Sequence, residues 1–304
     1  MDVLRTLARK VSNWGRWGPD DEVGTINFIT PEVVRRGAAC VKRGDVFSLG
    51  LPLDSDGPQL GTHGRMNPIH LMSAVEGRVG EGDFRYSDDI VVMPLQCATQ
   101  WDSLAHVYYD GQLYNGFPAD SVTVFGASRC GIDKVRTIVT RGILLDVARA
   151  KGVDRLQGGY AITADDLDAA AELAKVTVLP GDIVLVRTGQ MAFLRQDPPD
   201  KVAYGIPAAG PSTKTVEWFH AHDIAAVATD NITFEVYPCE DEAVQLPVHL
   251  LHLVDMGMTQ GQNWVLDDLA EECASDGVYE FMLDASPQPF VGGVGSPVNP
   301  VATT

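Results

Sequence analysis

The sequence predicts an α/β fold built around a mixed β-sheet, and three observations carry that prediction. Short continuous apolar runs, GILLDVA (142–148), GDIVLVRTG (181–189) and IAAVATD (224–230), read as buried strands. Capped segments with helical apolar spacing lie between them. Strands and helices alternate irregularly with no Pro-, Gly- or Ser-rich linker, so residues 1–304 read as a single domain.

Each element follows from local chemistry. Residues 1–30 form an N-terminal arm, irregular over the Trp-, Gly- and Asp-rich stretch 11–30. Thr30 is the expected N-cap of a helix over PEVVRRGAACVKR, with Pro31 at its first position and Gly44 at its end. DVFSLGLPL (45–53) reads as a strand. Residues 54–88 show little periodicity and read as a long lid or binding loop. The stretch 89–106 begins as a strand and turns polar. ITADDLDAAAELAKV (162–176) is the clearest helix, capped by Thr163 with Asp166 in its first turn. STKTVEWFHAHD (212–223) is a second capped helix, and VHLLHLVDMG (248–257) a third, closed by Gly257. VLDDLAEEC (265–273) reads as a short acidic helix and GVYEFMLDASP (277–287) as the last strand.

Composition excludes several functions. The 304 residues carry 41 Asp+Glu against 23 Lys+Arg, a formal net charge of −18. Nucleic-acid binding needs concentrated Lys and Arg, so it is not expected. No apolar run approaches the roughly 20 residues of a membrane span. The first residues lack the apolar core and cleavage site of a signal peptide. A cytoplasmic protein without nucleic-acid or membrane partners is the expectation. Five widely spaced cysteines without a CxxC pair indicate reduced thiols rather than a disulfide framework or zinc ribbon. GxGxxG and GxxxxGK[ST] are both absent.

Two constellations could carry chemistry. In Gln96-Cys97-Ala98-Thr99-Gln100-Trp101-Asp102-Ser103-Leu104-Ala105-His106, two amides, a carboxylate and an imidazole are spaced 4, 2 and 4 apart. In an extended chain, residues an even number apart share a face, so Gln96, Gln100, Asp102 and His106 would converge. Amide and carboxylate oxygens suit Mn²⁺, Mg²⁺ or Ca²⁺, and imidazole suits Zn²⁺ or Mn²⁺. The competing reading has the glutamines and Asp102 satisfying backbone groups in a turn. Cys97 reads as packing. The second constellation is Pro247-Val248-His249 with Gln262-Asn263. A lone His on an apolar helix is commonly a hydrogen-bonded core residue, and His252, inside LLHLV, reads as structural. Trp101, Tyr108, Tyr114 and Phe117, with Trp14 and Trp17, fall in non-helical, Gly-rich stretches where binding loops form. Core packing is the alternative for each. Asp110-Gly111 and Asn115-Gly116 are turn signals, so a hairpin at a site mouth is expected.

The two constellations together resemble the cyclase family of metal-dependent hydrolases, which includes bacterial kynurenine formamidase (arylformamidase) and isatin hydrolase. The family motif HxGTHxDxPxH is met by QCATQWDSLAH at Thr99, Asp102 and His106. LPVHLLHL (246–253) and MGMTQGQN (256–263) resemble the later PxHxxLL and GIxxxEN segments, and RGILLDVA, ITADDL and GDIVLVRTG match in order between them and the motif. The resemblance runs from about residue 45 to 290.

It implies a mixed β-sheet core curling toward a barrel with helices packed outside, the swivelling β/β/α fold of kynurenine formamidase. It implies metal positions at Gln96, Gln100, Asp102 and Gln262, a general base at His106, and a second active-site histidine at His249. It also implies a homodimer or homotetramer, with the arm around Trp14 and Trp17 placed to reach across an interface. The departures are substantial. Glutamines replace both metal-binding histidines and the late glutamate, which argues against a two-zinc site. The implied cofactor is therefore one divalent metal, Mn²⁺ favoured over Zn²⁺, weakly bound or absent. Asp241 and Glu242 are a weaker source of a missing carboxylate. The implied function is metal-dependent hydrolysis of an amide, formamide, cyclic amide or lactone, acting on a C–N bond other than a peptide bond. The substrate would be a small, partly aromatic molecule. A lyase or dehydratase-type cyclase, and a degenerate small-molecule binder, are the alternatives.

Overall fold

A computed structural model describes residues 2–241 and 243–304. Its centre is a nine-stranded sheet. The order is Val46–Ser48, Val301–Thr303, Glu280–Asp284, Val139–Asp146, Ile183–Arg187, Ala226–Thr229, Gln260–Gln262, Gln100–Asp102 and Gly295–Pro297. The four strands from Val139–Asp146 to Gln260–Gln262 run parallel, and every other pairing is antiparallel. Three of these parallel strands are the apolar runs that the sequence marks as buried; the fourth, Gln260–Gln262, is polar and carries no such mark.

Connectivity forces this sheet to curl. Gly295–Pro297 lies at one edge and Val301–Thr303 is second from the other. Seven strand spacings of about 4.8 Å would separate them in a flat sheet, about 34 Å. The link from Pro297 to Val301 spans at most about 15 Å, so the edges must approach. Leu49 N donates to Pro300 O and Val298 N to Thr99 O, tying the closing segment to both edges.

Two apolar layers cover the two faces. Val184, Val186, Val227 and Ile143 pack with Phe219, Val248 and Leu251 from the helices. Ile183, Leu185, Ala226 and Ala228 pack with Trp101, Trp264, Leu269 and Phe281. Helix ends follow the sequence. Thr30 Oγ1 accepts from Val33 N ahead of Pro31–Ala38. Thr163 and Asp166 form a reciprocal capping box on Ala164–Ala174. Gly37 sits where a Cβ would come within 2.5 Å of the Thr140 backbone, so helix Pro31–Ala38 can press directly on the sheet.

Several expected elements differ. Helix Pro31–Ala38 stops well before Gly44. The arm opens with an unexpected helix, Asp2–Val11, which buries Leu4, Ala8 and Val11 along one stripe. Residues 69–88, read as part of a long loop, instead join the expected strand from 89 in an antiparallel ribbon of Ile69–Arg78 and Arg85–Val92, with two register shifts along it. Within the chain, Trp14 Nε1 donates to Val254 O, and Trp17 meets Phe28 edge-on. No described helix is long and apolar enough to cross a membrane.

Candidate active site

Strands Gln100–Asp102 and Gln260–Gln262 pair antiparallel, Gln100 opposite Gln262 and Asp102 opposite Gln260. Strand alternation therefore puts Gln100, Asp102, Gln260 and Gln262 on one face, and Trp101 on the other. All are almost wholly buried. Buried polar groups require partners, and three of these satisfy one another. Gln262 Nε2 donates to Asp102 Oδ2 at 2.6 Å, and Gln100 Nε2 to Asp102 Oδ1 at 3.1 Å. Gln100 Nε2 also donates to Gln262 Oε1 at 2.7 Å, leaving Gln100 Oε1 buried without a partner among the described residues.

After Asp102 the chain turns at once, His106 N donating to Ser103 O. The turn brings His106 Nε2 to 3.8 Å from Asp102 Oδ1, beyond hydrogen-bond distance. His106 Nδ1 is buried without a partner among the described residues. Burial lowers the imidazole's pKa against the opposing pull of Asp102, with His249 and Arg65 adding to the lowering. His106 is thereby held neutral near pH 7, the form a general base needs.

His249 comes from across the sheet. Leu246 adopts a left-handed conformation, and Pro247 starts the helix. The carboxylate of Glu235 caps that start, accepting from Val248 N at 3.0 Å and His249 N at 2.8 Å. It also meets His249 Nδ1 at 2.6 Å, which orients the ring and frees Nε2. Glu235 has no motif around it in the sequence; only the loop after Ala226–Thr229 brings it to the histidine.

Leu250–Met256 continues as a π-helix, a departure found often at functional sites. His252, on this turn, is fully buried and edge-on to Phe219 and Phe234. Burial, with His249 nearby, pushes it down to about 3. Neither its ring nitrogens nor the amide of Gln260 finds a hydrogen-bond partner among the described residues. Gly257 closes the turn at φ +64°, where a Cβ would come within 2.3 Å of the Tyr114 ring.

The remaining predicted residues divide. Gln96 lies in a turn rather than extended chain, and none of its hydrogen bonds reaches Asp102, so the expected four-residue face shrinks to Gln100, Asp102 and Gln262. Its Nε2 is buried without a partner among the described residues. Trp101 is no pocket wall: it is fully buried against Trp264, its Nε1 donating to Ala285 O. Tyr114 is core as well, its hydroxyl donating to Asp21 Oδ2. Tyr108 is exposed, and Phe117 is half-buried beneath Arg129. Asp110-Gly111 and Asn115-Gly116 both take positive φ, as expected of turns. Asn263 is a clamp, donating to Ala98 O and accepting from Tyr204. Burial pushes the Cys97 thiol up, consistent with packing. Asp241 N-caps a turn at Ala243, and Glu242 lies outside the described residues.

The family profile described as "Putative cyclase" matches residues 47–236. The chain belongs to the cyclase family. A solved "novel cyclase" is 39% identical over 97% of this chain and 100% of its own, with a TM-score of 0.88. Isatin hydrolase A from Ralstonia solanacearum is 18% identical, covering 90% of this chain and 98% of its own at a TM-score of 0.64. A "predicted metal-dependent hydrolase" from Bacillus stearothermophilus is 15% identical, covering 86% and 98% at a TM-score of 0.53. These neighbours share the curled sheet and its helices. No functionally curated protein matches the chain.

The donor set here does not fit a resident divalent ion. Asp102 is the one charged side chain in the triad, and both its oxygens already accept amide N–H groups. No group of three or more His, Cys, Asp or Glu side chains able to hold a metal occurs among the described residues. Neutral amides are weak ligands beside imidazole and carboxylate.

Proposed function

We propose that this cyclase-family member is a hydrolase of a small, partly aromatic amide, formamide, cyclic amide or lactone. The observation that carries this reading is the half-buried imidazole of His106, 3.8 Å from Asp102 Oδ1, with His249 held in place nearby by Glu235.

In this reading His106 accepts a proton from water as the water oxygen bonds to the substrate carbonyl carbon. Asp102, 3.8 Å away, favours the imidazolium that forms. Collapse of the tetrahedral intermediate breaks the C–N or C–O bond, and His106 returns the proton to the leaving atom. His249 presents Nε2 toward the substrate.

Turnover of a panel of aryl formamides, cyclic imides and lactones in ¹⁸O-labelled water tests the reaction class. Hydrolysis places one labelled oxygen in the acid product. Product formed without label would replace hydrolysis by elimination, the reaction of a lyase-type cyclase.

A further inference from the structure

We infer that the Asp102 site operates without a bound divalent ion, the amides of Gln100 and Gln262 standing on the carboxylate where a metal would otherwise be held. The inference rests on the hydrolase reading for its catalytic meaning, but its physical basis is the hydrogen-bond pattern alone.

Asp102 has two oxygens, and each is met by an amide N–H: Oδ1 by Gln100 and Oδ2 by Gln262. The orientation of these amides is set by the carboxylate. Rotating Gln262 by a half-turn would place an amide oxygen 2.6 Å from Asp102 Oδ2, two acceptors in contact with no proton between them. Rotating Gln100 would do the same at Oδ1 and would also break its bond to Gln262 Oε1. A cation entering the site needs both rotations, because a metal is bound by amide oxygen and not by the NH₂ group. It would have to displace three mutually supporting hydrogen bonds and would gain one anionic ligand with neutral ones around it. Hydrogen bonds to a charged group contribute more than neutral ones, roughly 1.5–3 kcal/mol each. The triad is thus a competitor that any ion must overcome. Gln100 and Gln262 act through Asp102 and are positioning residues; they fix the carboxylate beside His106 as a metal would fix its ligands.

The fold supports the arrangement at every position. Gln100 and Gln262 are direct cross-strand neighbours, and Asp102 is flanked by strands on both sides. Asn263 and Thr99 bind the two strands together immediately beside the triad, Asn263 Nδ2 donating to Ala98 O and Thr99 Oγ1 to Asn263 O.

The test is metal content and metal-dependent stability of the full-length protein, purified without chelator. Wild type should retain well under one Mn, Zn or Fe per chain, show no rise in melting temperature with Mn²⁺ or Zn²⁺, and keep its activity in EDTA. Two variants test the reason. Gln262→Glu is isosteric and sets a second carboxylate against Asp102; it should melt lower than wild type and recover with Mn²⁺. Gln100→His combined with Gln262→Glu sets an imidazole and a second carboxylate beside Asp102 on the same face and should gain Zn²⁺ toward one per chain, with a concentration-dependent rise in melting temperature. Near-stoichiometric metal in wild type that disappears in Asp102→Asn overturns the inference. Failure of both variants to gain a metal response overturns it too, because the amides would then not be what excludes the ion. A metal-bearing wild type that still needs His106 leaves the hydrolase reading standing; a metal-free wild type with no hydrolytic activity does the reverse.

Discussion

Two polar clusters occupy opposite faces of the same sheet, and they are built on different principles. On one face, Asp146, Arg187, Asp267, Arg149 and Arg195 form an ion-pair network beside a cleft of about 710 Å³. On the other, Gln100, Asp102 and Gln262 form a compact amide–carboxylate triad beneath His106. The arginines beside that cleft are matched by carboxylates: Arg187 alone meets Asp146 and Asp267, and these partners raise its pKa against burial. The triad is small, but next to it lie polar atoms with no partner among the described residues: His106 Nδ1, Gln100 Oε1, Gln96 Nε2 and both nitrogens of His252. Buried polar groups are normally satisfied. In that network one buried oxygen, Asp267 Oδ2, lacks a hydrogen bond among the described residues and faces Arg195 at 3.7 Å, whereas several unpaired groups cluster beside the triad, where a substrate can use them. Pairing, not volume, separates the structural cluster from the functional one.

That contrast can be broken from either side. Arg187→Leu strips a buried charge from between Asp146 and Asp267 and should destabilise the fold by about 3–5 kcal/mol. The kcat of the remaining folded protein should hold, measured by denaturant titration beside steady-state kinetics. A loss of kcat without a loss of stability would move the chemistry to the ion-pair face. Glu235→Gln keeps the shape of the cap but removes its charge from helix Pro247–His249 and from the His249 ring. A stability cost of about 1–2 kcal/mol is expected, together with a fall in kcat that substrate saturation does not repair.

The pH dependence sharpens the same comparison. Burial lowers the His106 pKa, so the acid limb of kcat should lie below the ordinary imidazole range of about 6.5. Protonation at lower pH removes the base, and activity rises with pH through that limb. A limb at or above 6.5 would mean that Asp102 outweighs burial. The smallest expected effect belongs to neither cluster. Thr163→Ala removes one half of the capping box on Ala164–Ala174 and should cost about 1 kcal/mol, with kcat unchanged.

The sequence made half of this site visible, and the limits have physical causes. Asp102 and His106 sit within one motif, and strand alternation correctly joins Gln100 to Asp102. The same alternation separates Trp101 from them, so its burial against Trp264 was implicit in the residue count. Gln96 escapes the rule because the chain is extended only over Gln100–Asp102. Glu235 and Gln260 could not be found locally. One is delivered by a loop, and the other joins the site only through the register that sets it opposite Asp102. In the fold, three of the four parallel strands are apolar runs that announce themselves, while Gln260–Gln262 is polar and does not. The closing strands Gly295–Pro297 (Gly-Ser-Pro) and Val301–Thr303 (Val-Ala-Thr) are three residues each, too short for any periodicity to read. Of the ribbon 69–92, only the part from 89 reads as strand.

The most direct test of the account is kcat and melting temperature of His106→Asn beside wild type on whichever substrate of the panel is turned over. Asparagine retains polarity in a partly exposed position but cannot take up a proton near neutral pH. The account predicts a fall of about 10²–10⁴-fold in kcat with the melting temperature essentially unchanged. Wild-type kcat in the variant would contradict it and remove His106 from the reaction.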